Sequence, residues 1–224
     1  MPTLYLVRHG QASFGAADYD NLSDLGHQQS LALGRYFQSK GLLFDAVFAG
    51  TLKRHAQTYA GIAQGMAADR PALLRSGLNE YDSEAVVSAI HPEPLSTDRT
   101  PENYRKHFRL LRDGLAAWME GVAQPKGMPP YPEFVKGIAD VLDEVRTQFG
   151  AKDDAKILVC SSGGPISTAV GHVLGLVPAT TIELNLRIRN TSITEFAFTP
   201  KRHMLVTYNT LPHLEDKQDW VTYA

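Results

Sequence analysis

Cysteine is nearly absent: a lone Cys160 excludes an internal disulfide framework and leaves no cluster of thiolates for zinc. Because it ends the apolar run Ile157-Leu158-Val159-Cys160, its expected role is that of a small buried hydrophobe. No apolar stretch approaches the roughly eighteen residues of a membrane span, and no basic segment followed by a long apolar one opens the chain. A cytoplasmic location with no membrane partner is therefore expected. Excess charge is lacking as well, since 22 Lys+Arg against 24 Asp+Glu leave a net charge of -2. No bulk attraction to nucleic acid is expected, so any anion site must be local. Internal repeats and low-complexity tracts are also missing. What remains is 43% hydrophobic and 21% charged residues over 224 positions, enough for a sizeable core in a single domain covering residues 1–224.

The stretch Leu4-Tyr5-Leu6-Val7-Arg8-His9-Gly10-Gln11 organises the rest. Residues 4–7 are large and apolar without alternation, as in a central strand covered on both faces, and Gly10 is expected to let the backbone turn where the sheet ends. A polar loop over residues 11–21 precedes Ser23, which is positioned to cap a helix reaching Ser39 with Leu25, Ala32, Leu33 and Tyr36 on one face. Residues 44–49 read as a second strand closed by Gly50, with Thr51 as the cap of a helix through Met66. Strand, helix, strand, helix in that order predicts a mostly parallel sheet with helices on both faces, a three-layer α/β/α architecture.

Between residues 78 and 132 the rhythm breaks, and this stretch reads as a helical and loop insertion over the catalytic edge. Thr100-Pro101 opens a helix with Tyr104, Phe108, Leu111, Leu115 and Trp118 on its apolar stripe. A second amphipathic helix carries Phe134, Ile138, Val141, Val145 and Phe149. Residues 156–160 form the next buried strand, and Ser161-Ser162-Gly163-Gly164-Pro165 leads into a helix ending near Leu174, with Pro165 as its expected first residue. Residues 191–198 and 204–208 are expected to pair as an antiparallel hairpin at the edge of the sheet.

Four segments carry chemistry. Arg8 and His9 follow the first strand, where open α/β sheets place their sites. A planar guanidinium bonds two phosphate oxygens and stays charged, and an imidazole nitrogen accepts a phosphoryl group held in line. Arg54 stands in the first turn of a helix, whose free amides and dipole already favour anions. Glu80, in Leu78-Asn79-Glu80-Tyr81, is the candidate proton donor, provided that a dry pocket raises its pKa. Ser162, Gly163 and Gly164 allow close backbone approach to an anion at a helix start. Gln11 and Ser13 follow the nucleophile and are expected to support the phosphate.

Taken together, Arg8-His9-Gly10, the strand and helix around Arg54, Leu78-Asn79-Glu80-Tyr81 and Ser161-Ser162-Gly163-Gly164 resemble the histidine phosphatase superfamily, the phosphoglycerate-mutase-like enzymes. Leu22-Ser23-Asp24-Leu25-Gly26 with Gln29, and residues 209–214, resemble that family's first helix start and its chain end. The resemblance implies a phosphoglycerate-mutase-like fold and a phosphomonoester hydrolase that passes through a phosphohistidine on His9. The implied site is Arg8, His9, Arg54 and Glu80, with phosphate bonds from Gln11, Ser13, Ser162 and Gly163. Neither metal nor cofactor is implied, and the substrate would be a small phosphorylated metabolite or a phosphoprotein.

Three positions depart from the pattern. Ser162 stands where the family's second histidine is expected, and Gly50 and His55 replace an expected serine and alanine. Losing an imidazolium beside the phosphoryl group implies slower chemistry, and Ser162→His is expected to gain rate. His55, His91 and His213 are candidates to compensate, while Tyr81, His91, Arg99 and Arg105 are available substrate contacts from the insertion. A mutase, or a protein that binds a phosphorylated ligand with little turnover, are the alternatives; a serine hydrolase built on Ser162 lacks both the nucleophile-elbow pattern and a partner base.

Overall fold

The computed structural model describes residues 1–13, 20–96, 98 and 100–223. Arg99, and residues 14–19 of the loop after the first strand, lie outside the described residues.

Three strands with continuous apolar sequence form the middle of the sheet: β1 (Thr3–Arg8), β2 (Ala46–Ala49) and β4 (Lys156–Ser161). They lie parallel, together with the two-residue β3 (Leu73–Leu74), and the hairpin β5 (Ile193–Phe198) and β6 (His203–Thr210) completes a six-stranded sheet in the order β3-β2-β4-β1-β5-β6. β5 runs antiparallel to both of its neighbours. The lack of alternation in these strands has a direct cause: both faces of the sheet are covered. Leu4, Leu6, Phe48, Ile157 and Val159 pack under α5 (Tyr131–Phe149) and α6 (Gly163–Leu174). Their neighbours Val7, Val47, Leu158 and Cys160 pack under α1 (Asp24–Ser39) and α2 (Lys53–Met66). Side chains alternate between the two layers because successive residues of a strand point to opposite faces.

The stretch 78–132 holds α3 (Ser83–Ser88) and α4 (Pro101–Met119), which form a third apolar cluster with α7 (Pro178–Arg187) through Val86, Leu111, Leu115, Trp118 and Ile182. Thr100 caps α4 by accepting from the Asn103 amide, with Pro101 at the first position. Only the second half of its stripe is buried, and Tyr104 is 55% exposed.

Several local expectations are corrected. The buried face of α1 is centred on Gly26, Gln29, Ser30, Leu33 and Phe37, leaving Leu25, Ala32 and Tyr36 at its margins. Thr51 does not cap α2: its amide donates to Asn79 Oδ1 at 2.7 Å, its hydroxyl accepts from Asn79 Nδ2, and the Lys53 amide is taken up by Asp20 Oδ2 at 2.8 Å. Pro165 is the third residue of α6, not the first; a missing N–H costs nothing anywhere in that turn. Gly10 has no positive φ. It is glycine because α1 approaches closely, and a Cβ there would lie 2.5 Å from the Gly26 carbonyl oxygen. The helix α7 and the short β3 were not expected at all.

Register then delivers the site. Arg8 pairs with Ser161 and Ala49 with Cys160, so the residues that follow, His9, Gly50 and Ser162, leave the sheet side by side at its C-terminal edge.

Candidate active site

His9 is 4% exposed and held from behind, its amide donating to the Ser161 carbonyl at 2.8 Å and its carbonyl accepting from Asn190 Nδ2 at 3.1 Å. Its ring Nδ1 lies 2.7 Å from the Gly10 carbonyl oxygen. A carbonyl only accepts, so Nδ1 carries the proton and the neutral ring keeps its lone pair on Nε2. Burial holds the pKa of His9 well below the ordinary histidine value, and the charges of Arg8 and Arg54 and the ring of His55 push the same way. The imidazole is thus neutral and has one defined nucleophilic nitrogen.

Arg8 reaches the site from the last residue of β1, its Nη1 donating to the carbonyls of Ile188 at 2.6 Å and Tyr223 at 2.5 Å. Arg54 comes from the first turn of α2, is 8% exposed, and is oriented by Asp20, whose Oδ1 lies 2.8 Å from Nη1. One Asp20 carboxylate therefore serves both a helix start and the guanidinium beside it. Thr58, four residues after Arg54, accepts from the Gly10 amide at 3.0 Å and donates to the Arg54 carbonyl at 2.7 Å, tying α2 to the loop that follows His9. Thr58 was not singled out in the sequence, although its spacing of four from Arg54 puts it on the same helix face, and nothing local marked Asp20.

Glu80 follows the short 3-10 turn Ser76–Leu78 and is tethered on both sides. Ser161 Oγ donates to the Leu78 carbonyl at 2.7 Å, and the Gly164 amide donates to both carboxylate oxygens of Glu80 at 3.1 and 3.2 Å. Burial raises the pKa of Glu80, against the opposing pull of the Gly164 amide and of Arg54 and Arg8. Both guanidinium groups thus act on both His9 and Glu80. Four residues from three separate segments share one electrostatic space.

Gln11 and Ser13 are directed elsewhere. The Gln11 side-chain oxygen accepts from Ser23 Oγ at 2.8 Å, and Ser13 Oγ donates to the Leu22 carbonyl at 3.0 Å, so both close the loop onto the start of α1. Ser162 and Gly163 are at the site: Ser162 is buried at the start of α6, and a Cβ on Gly163 would lie 3.7 Å from Arg8 Nε. Of the histidines considered, His91 bonds the Glu93 carbonyl at an exposed position, and His213 sits behind the site with its Nε2 at 3.0 Å from Thr191 Oγ1. His55 is at the site itself, its ring centre 5.9 Å from that of His9. Arg105 is exposed on α4. Tyr81 packs against Trp118 and Phe134, with its hydroxyl accepting from Asn185. The cavity they line is only about 20 Å³, room for a water and not for a substrate. Among the described residues no group of three His, Cys, Asp or Glu side chains is placed to hold a metal ion, and no helix is long and apolar enough to cross a membrane.

The family model of the histidine phosphatase superfamily (branch 1) matches residues 4–211. The chain belongs to the histidine phosphatase superfamily. Among proteins similar to it, a broad-specificity phosphatase of Saccharomyces cerevisiae is 26% identical over 144 residues, which is 61% of this chain and 63% of that protein. Among solved structures, a mutant phosphoserine phosphatase from Entamoeba histolytica in complex with phosphoserine is 21% identical, with a TM-score of 0.65 over 96% of this chain and all of that one (100%). A phosphoglycerate mutase from Bacillus anthracis is 18% identical, with a TM-score of 0.66 over 95% of this chain and 94% of that one. The fold of this superfamily member is therefore phosphoglycerate-mutase-like, an α/β fold with a mostly parallel sheet.

Proposed function

We propose that this protein is a phosphomonoester hydrolase acting through a transient phosphohistidine on His9. One observation carries the proposal: the proton on Nδ1 is fixed by the Gly10 carbonyl, which leaves the Nε2 lone pair in the field of Arg8 and Arg54. In the first step Nε2 attacks phosphorus, the bond from phosphorus to the ester oxygen breaks, and Glu80 in its acid form gives its proton to the departing alkoxide. Water then attacks the phosphohistidine, Glu80 takes a proton back from it, and the electron pair of the broken P–N bond returns to Nε2. Arg8 and Arg54 offset the charge of the phosphoryl oxygens throughout, so the reaction asks for no divalent cation.

The raised pKa of Glu80 suits the first step and its two Gly164 hydrogen bonds suit the second, because they stabilise the carboxylate that the first step creates. A small phosphorylated metabolite or a phosphoprotein is the substrate class. In support, one relative is a broad-specificity phosphatase and one neighbour of the same fold is a phosphoserine phosphatase in complex with phosphoserine. Hydrolysis of p-nitrophenyl phosphate, measured with and without a chelator, tests the proposal. Expected is a rate insensitive to chelation and abolished by His9→Ala. A rate that chelation removes and His9→Ala leaves intact ends it.

A further inference from the structure

His55 is fully buried, and its Nε2 lies 2.7 Å from the hydroxyl oxygen of Ser162, which is buried as well. The room for its ring comes from Gly50: a Cβ there would lie 2.1 Å from His55 Nδ1, a distance that no side chain tolerates. Gly50, His55 and Ser162 are the three positions at which the sequence departs from the segments it resembles, and in space they form one contact set. An imidazole at 55 needs the empty space at 50, and it reaches 162.

The tautomer follows from what surrounds the ring. Nδ1 has no hydrogen-bond partner among the described residues. A buried N–H without an acceptor is rarer and costlier than an unused lone pair, so the proton sits on Nε2 and is donated to Ser162. Ser162 makes no capping bond to its own helix, although it stands at the start of α6, and its own O–H is left to donate. That hydroxyl lies at the sheet edge next to His9, within the group formed by Arg8, His9 and His55.

We propose that Ser162 donates its hydroxyl proton to a phosphoryl oxygen, and that His55 is the positioning residue that turns the hydroxyl that way by donating to its oxygen. The pair supplies a neutral hydrogen-bond donor at the place where the resemblance implies a second histidine. Burial and the charge of Arg54 hold His55 at a pKa of about 3, which keeps it a neutral donor across the working range. No atom is transferred between the two residues.

This inference rests on the phosphohistidine reading, and the experiment separates the two. On the full chain, p-nitrophenyl phosphate hydrolysis and the affinity for orthovanadate, whose five-coordinate adducts mimic the transferring phosphoryl group, are measured side by side. Removing one preorganised transition-state donor by Ser162→Ala is expected to lower kcat roughly 100-fold, with a parallel loss of vanadate affinity. His55→Ala is expected to do the same and the double replacement no more, because each deletes the same device. His55→Gln, whose amide places an N–H near the position of Nε2, recovers part of the loss, and Gly50→Ala reproduces it by driving the ring off Ser162. Unchanged kcat and vanadate affinity in Ser162→Ala, or losses that simply add in the double variant, overturn the pair. Vanadate binding that depends on Ser162 and His55 in a chain that hydrolyses nothing sinks the hydrolase and leaves the pair standing. Ser162→Ala deletes a single oxygen, so the test survives a His55 variant that does not fold.

Discussion

A pocket that buries an imidazole and a carboxyl beside two guanidinium groups moves their pKa values toward each other. His9 goes down, mainly through burial, and Glu80 goes up, again mainly through burial. The proposed first step needs His9 neutral and Glu80 protonated, so the rate should fall on the acid side as His9 takes up a proton and on the alkaline side as Glu80 loses one. Leaving-group dependence isolates the second limb. Glu80→Gln is expected to slow the phosphorylation step, read in a single turnover, by roughly 100- to 1,000-fold for an alkyl phosphate, the usual worth of a positioned acid, and far less for p-nitrophenyl phosphate, because nitrophenolate leaves without a proton. Equal losses on both esters would remove Glu80 from the role of proton donor. The effect expected of Ser162→His also changes sign. With His55 Nε2 at 2.7 Å from Ser162 Oγ there is no space for a second ring, so the single replacement is expected to lower activity. Only Ser162→His combined with His55→Ala should restore it, a comparison that steady-state kinetics on the two variants decides.

At the scale of elements, the joins between segments decide whether the four residues meet. Asn79 bonds the backbone and the hydroxyl of Thr51 at 2.7 Å each, which fixes the turn carrying Glu80 to the loop that enters α2. Asn79→Ala removes both bonds and is expected to cost about 1–2 kcal/mol in a urea melt and to lower kcat more than it raises KM, since it loosens the proton donor and leaves the anion site in place. A KM effect alone would show that this join serves binding.

These joins also mark how far the sequence could be read. β1, β2, β4 and the helices after them were legible because two-faced burial writes unbroken apolar runs and because Ser23 and Thr100 announce their helices. Arg8 and His9 were legible as candidates because they end such a run, and Arg54 because it stands in the first turn of a helix that follows one, whereas Glu80 was marked only by the resemblance of Leu78-Asn79-Glu80-Tyr81 to a family segment. Asp20 was not, since a carboxylate in a polar loop gives no sign of the helix start it will reach across space. The bonds of Gln11 and Ser13 to the start of α1 were not legible either, because sequence proximity to His9 does not say which way a side chain turns. His55 was named as a candidate but could not be preferred over His91 or His213, for its value depends on Gly50 and Ser162, which come from two other segments.

Across the whole molecule, buried neutral histidines set the response to acid. His55 and His213 are held at about 3 and His203 at about 4, in each case chiefly by burial. Their folded pKa values lie below the unfolded value near 6.5, so the unfolded chain binds protons that the folded chain refuses. The stability they contribute is complete above about pH 6.5 and drains away as pH falls toward the folded values, at roughly 1.4 kcal/mol per pH unit for each fully buried ring. Glu80, with its raised pKa, works in the opposite direction and offsets part of the loss. Urea midpoints taken from pH 7 down to pH 5 should decline steeply, and His213→Gln should flatten that decline; an unchanged slope in the variant would show that His213 titrates alike in both states.

The most direct test of the central claim is chemical trapping of the intermediate. Mixing the chain with a radioactively labelled phosphomonoester and quenching rapidly in alkali, where phosphohistidine survives, should leave one labelled peptide, the one carrying His9, and no label on His9→Ala. Label on any other residue, or turnover at full rate with no label at all, would contradict the account.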